Sequence, residues 1–162
     1  MKILLHICCA PCAVYSIDRL RQDGHEVEGL FYNPNIHPFS EYITRKESVE
    51  RLSKKTKVRV SYLDYEIERF FRQSAYNETA PRRCANCWHM RLRKTARAAA
   101  EDGFEAFTTT LLISPYQKHD ALVAEAEAVS KDEGVNFHYT DFRPGFKQSH
   151  AEAKKLDLYR QK

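Results

Sequence analysis

The sequence predicts an α/β domain built on an open parallel sheet with helices on both faces, and three observations predict it. Short apolar runs alternate with longer stretches of helical spacing, the pattern of successive strand–helix–strand units. The first run, Ile3 to Ile7, is apolar throughout except for His6, as in a strand covered on both faces. The 162 residues, 43% of them hydrophobic, can build one such domain with a sizeable core and are too few for two. Residues 1–162 are therefore read as a single α/β metal-binding domain with a helical C-terminal tail.

Each element follows in order. After the first strand come Cys8-Cys9-Ala10-Pro11-Cys12, with Pro11 where a first helical turn begins. Ala13, Ile17 and Leu20 keep helical spacing, and Gly24 stops the helix. Val27 to Tyr32 is a second strand, and Asn33 to Pro38 a loop. Ser40 is expected to cap a helix reaching about Thr56. Val58, Val60 and Tyr62 alternate as a third strand, and Asp64 is expected to cap a helix through about Ser74. Tyr76 to Arg83 is polar. A helix from about Cys84 to Asp102 follows, closed by Gly103, with Trp88, Leu92 and Ala96 facing the core. Phe104 to Leu112 is a fourth strand. Ser114-Pro115 opens a helix that Gly134 ends. Val135 to Tyr139 is a fifth strand, and about Lys147 to Leu158 is helical.

Composition removes several classes of protein. Charged residues make up 30% of the chain, and no run approaches the roughly 20 apolar residues of a membrane span. The first residues lack the apolar stretch and cleavage site of a secretory signal. A cytoplasmic location is expected, and with it five reduced cysteines rather than a disulfide framework. The net charge of +4 is unevenly placed: Pro81 to Ala100 carries +6, Arg143 to Lys162 carries +4, and the remainder −6. An acidic body with two basic segments points to a localised anionic partner, although solvated basic helix faces give the same pattern.

The cysteines carry the chemistry. Cys8, Cys9 and Cys12 fall where a strand hands over to a helix, the place where open α/β sheets bind ligands. Cys84 and Cys87 open another helix at i, i+3 spacing, so both sulfurs can serve one site. Positive helix ends, with Arg82, Arg83 and Arg91 nearby, favour the thiolates that metals require. Clustered thiols in a reduced protein suit an iron–sulfur cluster or a tetrahedral zinc site. Iron is the preferred reading, because zinc leaves the fifth cysteine idle and this domain needs no staple. No glycine-rich phosphate loop is present; cysteines occupy its place after the first strand. Asn33, Asn35 and His37, Thr108 to Thr110, and Ser114 to His119 all fall at the same sheet edge. His6, inside an apolar strand, reads as a satisfied buried histidine.

Taken together, these motifs resemble one family. Cys8-Cys9-Ala10-Pro11-Cys12, Tyr32-Asn33-Pro34-Asn35-Ile36-His37-Pro38, Cys84-x-x-Cys87-x-x-x-Arg91-Leu92, Thr108 to Leu111 with Ser114-Pro115-Tyr116-Gln117, and Leu158-Tyr159-Arg160-Gln161 are similar to the blocks of the epoxyqueuosine reductase family QueH, in the same order. Many relatives continue that last block into Tyr-Cys-Gly-Cys; this chain reads Lys162 there. The resemblance implies a fold like the adenine-nucleotide α-hydrolase (HUP) domains. It implies reduction of the epoxide of epoxyqueuosine, at the wobble base of a tRNA, to the cyclopentene of queuosine. It implies a [4Fe-4S] cluster and an additional adjacent iron ion, drawn from Cys8, Cys9, Cys12, Cys84 and Cys87, and an external one-electron donor.

Cys8, His37 and His119 are then the candidate proton-handling groups. Arg82, Arg83, Arg91 and Arg160 are candidates for the RNA phosphates, and Tyr32, Tyr116 and Tyr159 for stacking on the base. Asn33, Asn35, His37, Ser114 and Gln117 are candidates for its polar edges. Two other readings compete: an iron–sulfur tRNA thiolation enzyme, which the missing phosphate loop disfavours, and a zinc-stabilised RNA-binding module.

Overall fold

The computed structural model describes residues 1–75 and 82–160, with only the backbone of residues 82–84. Five parallel strands form one sheet: β1 (Lys2–His6), β2 (Glu26–Phe31), β3 (Val60–Tyr62), β4 (Ala106–Thr109) and β5 (Asn136–Phe137), in the order β3-β2-β1-β4-β5. The helices are α1 (Ala10–Gln22), α2 (Phe39–Thr56), α3 (Ile67–Ser74), α4 (Arg82–Glu101), α5 (His119–Glu133) and α6 (Phe146–Lys155). Helix α1 packs with α2 and α6, and α4 packs with α3 and α5, which gives two helical groups flanking the sheet.

The apolar run predicted for β1 explains its central place. Ile3, Leu4, Leu5 and Ile7 are buried, as are Phe107 in β4 and Phe31 in β2. Gly29 lets β2 approach its neighbours: a Cβ there would sit 2.6 Å from Ile7 Cδ1 and 3.0 Å from Val60 Cγ2. Gly24 and Gly134 stop α1 and α5 with φ of +87° and +69°, a region other residues avoid. Trp88, Leu92 and Ala96 are buried on the inner face of α4, as their spacing predicts.

Several expected boundaries are corrected. Helix α2 starts after Pro38, ahead of Ser40, and α3 starts after Glu66, which has a left-handed φ of 50°, so neither Ser40 nor Asp64 is a cap. The fourth strand ends at Thr109 rather than Leu112, because the Thr109 side chain accepts from Leu111 N–H and turns Thr110–Ile113 into a 3₁₀ turn. Ser114 and Pro115 precede a turn, and α5 begins only at His119. Strand β5 is two residues long, and α6 ends at Lys155, ahead of Leu158.

This strand order fixes where a ligand can enter. From β1 the chain moves outward to β2 and β3, then returns to β4 on the other side of β1. The two connections diverge at the carboxyl ends of β1 and β4, opening a crevice there.

Candidate active site

Residues that leave the sheet at this switch point line a cavity of about 240 Å³. Strand β1 ends at His6, Ile7 N–H donates to Leu30 O at 2.9 Å, and Cys8 turns out of the sheet. Cys9 is the extended N-cap of α1 and Cys12 lies in its first turn, so α1 presents its positive end to all three sulfurs. Sulfur–sulfur contacts are 3.9 Å between Cys8 and Cys9 and 3.1 Å between Cys9 and Cys12, and all three Sγ atoms lie within 4.8 Å of one another. Thr110 fixes Cys8 from the β4 side: its Oγ1 accepts from Cys8 N–H at 3.0 Å and its hydroxyl donates to Cys8 Sγ at 3.2 Å.

Three adjacent thiols, Cys9 buried and Cys8 and Cys12 half-buried, do not ionise independently. Hydrogen bonds from Cys12 and Cys9, with further help from Thr110, hold the Cys8 thiol well below its ordinary range. For Cys9 the bond to Cys12 acts downward, but the bond to Cys8 and burial outweigh it, and its pKa rises. The bonds to Cys8 and Cys9, together with burial, push Cys12 well above the usual value. The trio thus favours negative charge on Cys8 over its two neighbours.

His6 and Asn33 brace the crevice from below. Burial, followed by the Arg91 charge, pushes the His6 pKa down to about 4, so the ring is neutral. Its Nε2 lies 3.1 Å from Tyr32 O, which can only accept, so Nε2 carries the proton and Nδ1 accepts from the Thr109 hydroxyl at 3.0 Å. Asn33 Oδ1 is 3.2 Å from the same Nε2, and the Asn33 amide donates to Ile7 O at 2.9 Å. The expected role of His6 as a satisfied core histidine is borne out, and Asn33 is tied to the same brace.

The remaining candidates divide. Asn35, Arg91, Ser114 and Gln117 line the cavity with the three cysteines. Gln117 Oε1 accepts from Trp88 Nε1 at 3.2 Å, and Ser114 Oγ accepts from Tyr116 N–H at 3.2 Å. Arg91 is buried; its Nη2 donates to Cys87 Sγ at 3.2 Å and its Nε to Cys87 O at 3.3 Å. Cys87 thus reaches the cavity wall through this guanidinium and stands apart from the trio of converging sulfurs. The side chains of Cys84, Arg82 and Arg83 lie outside the described residues.

His37 is exposed and stacks on Phe71 with ring centroids 5.7 Å apart, and His119 bonds to the Tyr139 hydroxyl at 2.9 Å; neither lines the cavity. Tyr32 is buried, its hydroxyl bonded to Glu66 and its ring 5.3 Å below Lys94 Nζ, which makes it a packed core residue. Tyr116 is 85% exposed and meets Phe146 edge-on. Tyr159 bonds to Glu41, and Arg160 is exposed. Arg45, on α2, also lines the cavity and was not singled out by sequence. The i, i+4 spacing of Glu41 and Arg45 was legible as a helix pair, but nothing in it pointed to a cavity.

The fold and the site together define a doubly wound α/β protein whose ligand crevice, at the reversal of strand order, is furnished with thiols. The family model for "Epoxyqueuosine reductase QueH" matches residues 3–162, and the chain belongs to that family. It is 42% identical over 161 residues to the epoxyqueuosine reductase QueH of Dehalococcoides mccartyi, covering 99% of this chain and 87% of the relative. It is 33% identical to that of Thermotoga maritima, covering 98% and 85%. It spans 38% of the longer relative from Helicobacter pylori, at 36% identity. A solved structure described as a predicted subunit of tRNA methyltransferase from Methanocaldococcus jannaschii superposes with a TM-score of 0.62 at 13% identity, over 95% of this chain and 74% of that one, a likeness of fold. The protein is an oxidoreductase, an epoxyqueuosine reductase. Among the described residues no helix is long and apolar enough to cross a membrane.

Proposed function

We propose that this chain reduces epoxyqueuosine to queuosine at the wobble position of tRNA with electrons delivered through a [4Fe-4S] cluster and an adjacent iron ion. The observation that carries the metal reading is the convergence of Cys8, Cys9 and Cys12 at the switch-point cavity. The donor set fits: three soft sulfurs at a helix N-terminus, with no carboxylate among the residues lining the cavity. Three thiolates hold a cubane with one iron open, and Cys87 or Cys84 on α4 would supply a fourth where every iron is thiolate-bound. When bound, the metal centre supplies single electrons and Lewis acidity.

The reaction takes two electrons and two protons. Both carbon–oxygen bonds of the epoxide break, a carbon–carbon double bond forms, and the oxygen leaves as water. An external one-electron donor must act twice. The chain's own residues shape the place where this happens. Arg91 sets a buried positive charge beside the thiolates and orients Cys87. Asn35, Ser114 and Gln117 offer polar contacts to the substituent that enters. Of the three groups expected to move protons, Cys8 alone lines the cavity; His37 and His119 would meet substrate only beyond it. Tyr116, Arg160 and the Arg82–Arg83 pair are proposed RNA contacts outside the cavity, the base being drawn out of its stack.

The deciding experiment is anaerobic incubation of the iron-loaded protein with epoxyqueuosine-bearing tRNA and a reductant, followed by nucleoside mass spectrometry. Conversion to queuosine is expected. Intact epoxyqueuosine, or a colourless protein holding one zinc after reconstitution with iron and sulfide, would sink the reading.

A further inference from the structure

One residue of the cavity wall plays no part in holding the thiols. Arg45 comes from the second turn of α2, and its Nε donates to Glu41 Oε1 at 2.9 Å. Glu41 is held in turn by the chain's C-terminal stretch: the Tyr159 hydroxyl donates to both carboxylate oxygens, at 2.9 and 3.1 Å, and Tyr159 N–H donates to Ser48 Oγ on α2 at 3.1 Å. Burial opposes ionisation of Glu41, but the bonds from Arg45 and Tyr159 prevail and hold its carboxyl below the ordinary range. The guanidinium is thus clamped through Nε, while its two Nη groups make no hydrogen bond among the described residues. Asn35 lines the same cavity, and its Oδ1 is buried with no partner among the described residues. A buried acceptor left unpaired is costly, and a ligand that donates to it removes the cost.

We propose that Arg45 and Asn35 together grip a hydroxylated ring of the substrate, and that Tyr159, acting through Glu41, is the positioning residue that aims Arg45. Glu41 offsets the charge of Arg45, so the pair offers N–H donors without an excess positive charge that would select an anion. A hydroxyl accepts from an N–H and donates to an amide oxygen, so a vicinal diol satisfies Arg45 and Asn35 at once. A phosphate would satisfy Arg45 and leave Asn35 Oδ1 facing another acceptor. The inference rests on the proposed reductase reading, because epoxyqueuosine carries two hydroxyls on the ring that bears its epoxide.

The test compares binding of two nucleosides to the protein: queuosine, which keeps the diol, and the deazaguanosine bearing only an aminomethyl group. Wild-type protein is expected to prefer queuosine. Arg45→Gln and Asn35→Ala should each cut that preference about tenfold, and Tyr159→Phe about threefold, the scale of one charge-assisted or one neutral hydrogen bond. Asn35→Asp keeps the acceptor and should retain the preference. Tyr159→Phe should add nothing once Arg45 is Gln. In turnover of epoxyqueuosine-bearing tRNA, Arg45→Gln should raise KM with iron content unchanged. Equal binding of the two nucleosides by wild type, or an undiminished preference in both Arg45→Gln and Asn35→Ala, overturns the grip. Full additivity of Tyr159→Phe with Arg45→Gln overturns the positioning role. Failure of the reductase reading has a separate signature: iron-loaded wild type prefers queuosine yet converts no epoxyqueuosine.

Discussion

Thr110 holds Cys8 through two bonds at once, and among the described residues no other side chain ties the cysteine turn to the end of β4 in this way. Thr110→Val preserves the shape of the side chain and deletes the oxygen. Cys8 N–H then loses its acceptor at a buried strand end, which should cost about 1–3 kcal/mol. Urea unfolding of the iron-free protein measures this, and iron uptake should fall with it; an unchanged midpoint would mean that water replaces the hydroxyl. At this scale the sequence was read unevenly. The Thr108 to Thr110 run was placed at the site's lip from its position at the end of the fourth strand, and His6 was read as satisfied from its apolar neighbours. Arg45 was illegible, because a charged residue on an amphipathic helix looks the same whether its tip meets water or a cavity.

At the scale of elements, α6 locks the N-terminus of α1. The Ser149 hydroxyl donates to Pro11 O and accepts from Tyr15 N–H at 3.0 Å, so two backbone groups in the first turns of α1 depend on a residue more than 130 positions away. Gly145 makes the approach possible: a Cβ there would lie 2.2 to 2.3 Å from three ring atoms of Tyr15. Gly145→Ala must therefore shift an aromatic ring or α6, and thermal or urea unfolding should report a loss of about 1–3 kcal/mol, the usual range for overpacking. Wild-type stability in this variant would show that α6 moves freely. The basic stretch of α4 also changes meaning at this scale. Arg93 and Arg97 share Glu133 on α5 at 3.0 and 3.1 Å, Lys94 reaches Glu66 at 3.4 Å, and Arg91 is buried on Cys87. Of this +6 cluster, Arg93, Lys94 and Arg97 pair with carboxylates from distant parts of the chain and Arg91 with Cys87 one turn back on α4, so its described members are tied up within the protein.

For the whole molecule, the core and the thiol site are separate. Buried residues from all five strand regions and the facing helices form a continuous apolar core, and the cysteines sit at its upper edge. The domain should therefore fold without metal, unlike a small zinc-stapled module. Chelation, or Cys87→Ala, is expected to remove iron while far-ultraviolet circular dichroism stays native; unfolding of the iron-free protein would make the metal a structural element.

The sequence by itself determined the architecture and the gathering of three cysteines where a strand hands over to a helix. Continuous apolar runs, helical spacing and Gly or Pro stops are local signals, and they sufficed for five strands and for the position of Cys8, Cys9 and Cys12 at a strand end. Tertiary structure alone decided where strands give way, since Thr109 turns β4 into a 3₁₀ turn by accepting from Leu111 N–H and bonding the His6 ring on the neighbouring strand. It also decided which candidates share the cavity. His37 sits in the right loop and His119 at the start of α5, but they face Phe71 and Tyr139, while Arg45 arrives from α2 under the hold of Glu41 and Tyr159. Apart from the Arg45–Glu41 helix pair, those choices depend on pairs 20 to 118 residues apart, and no local pattern encodes them.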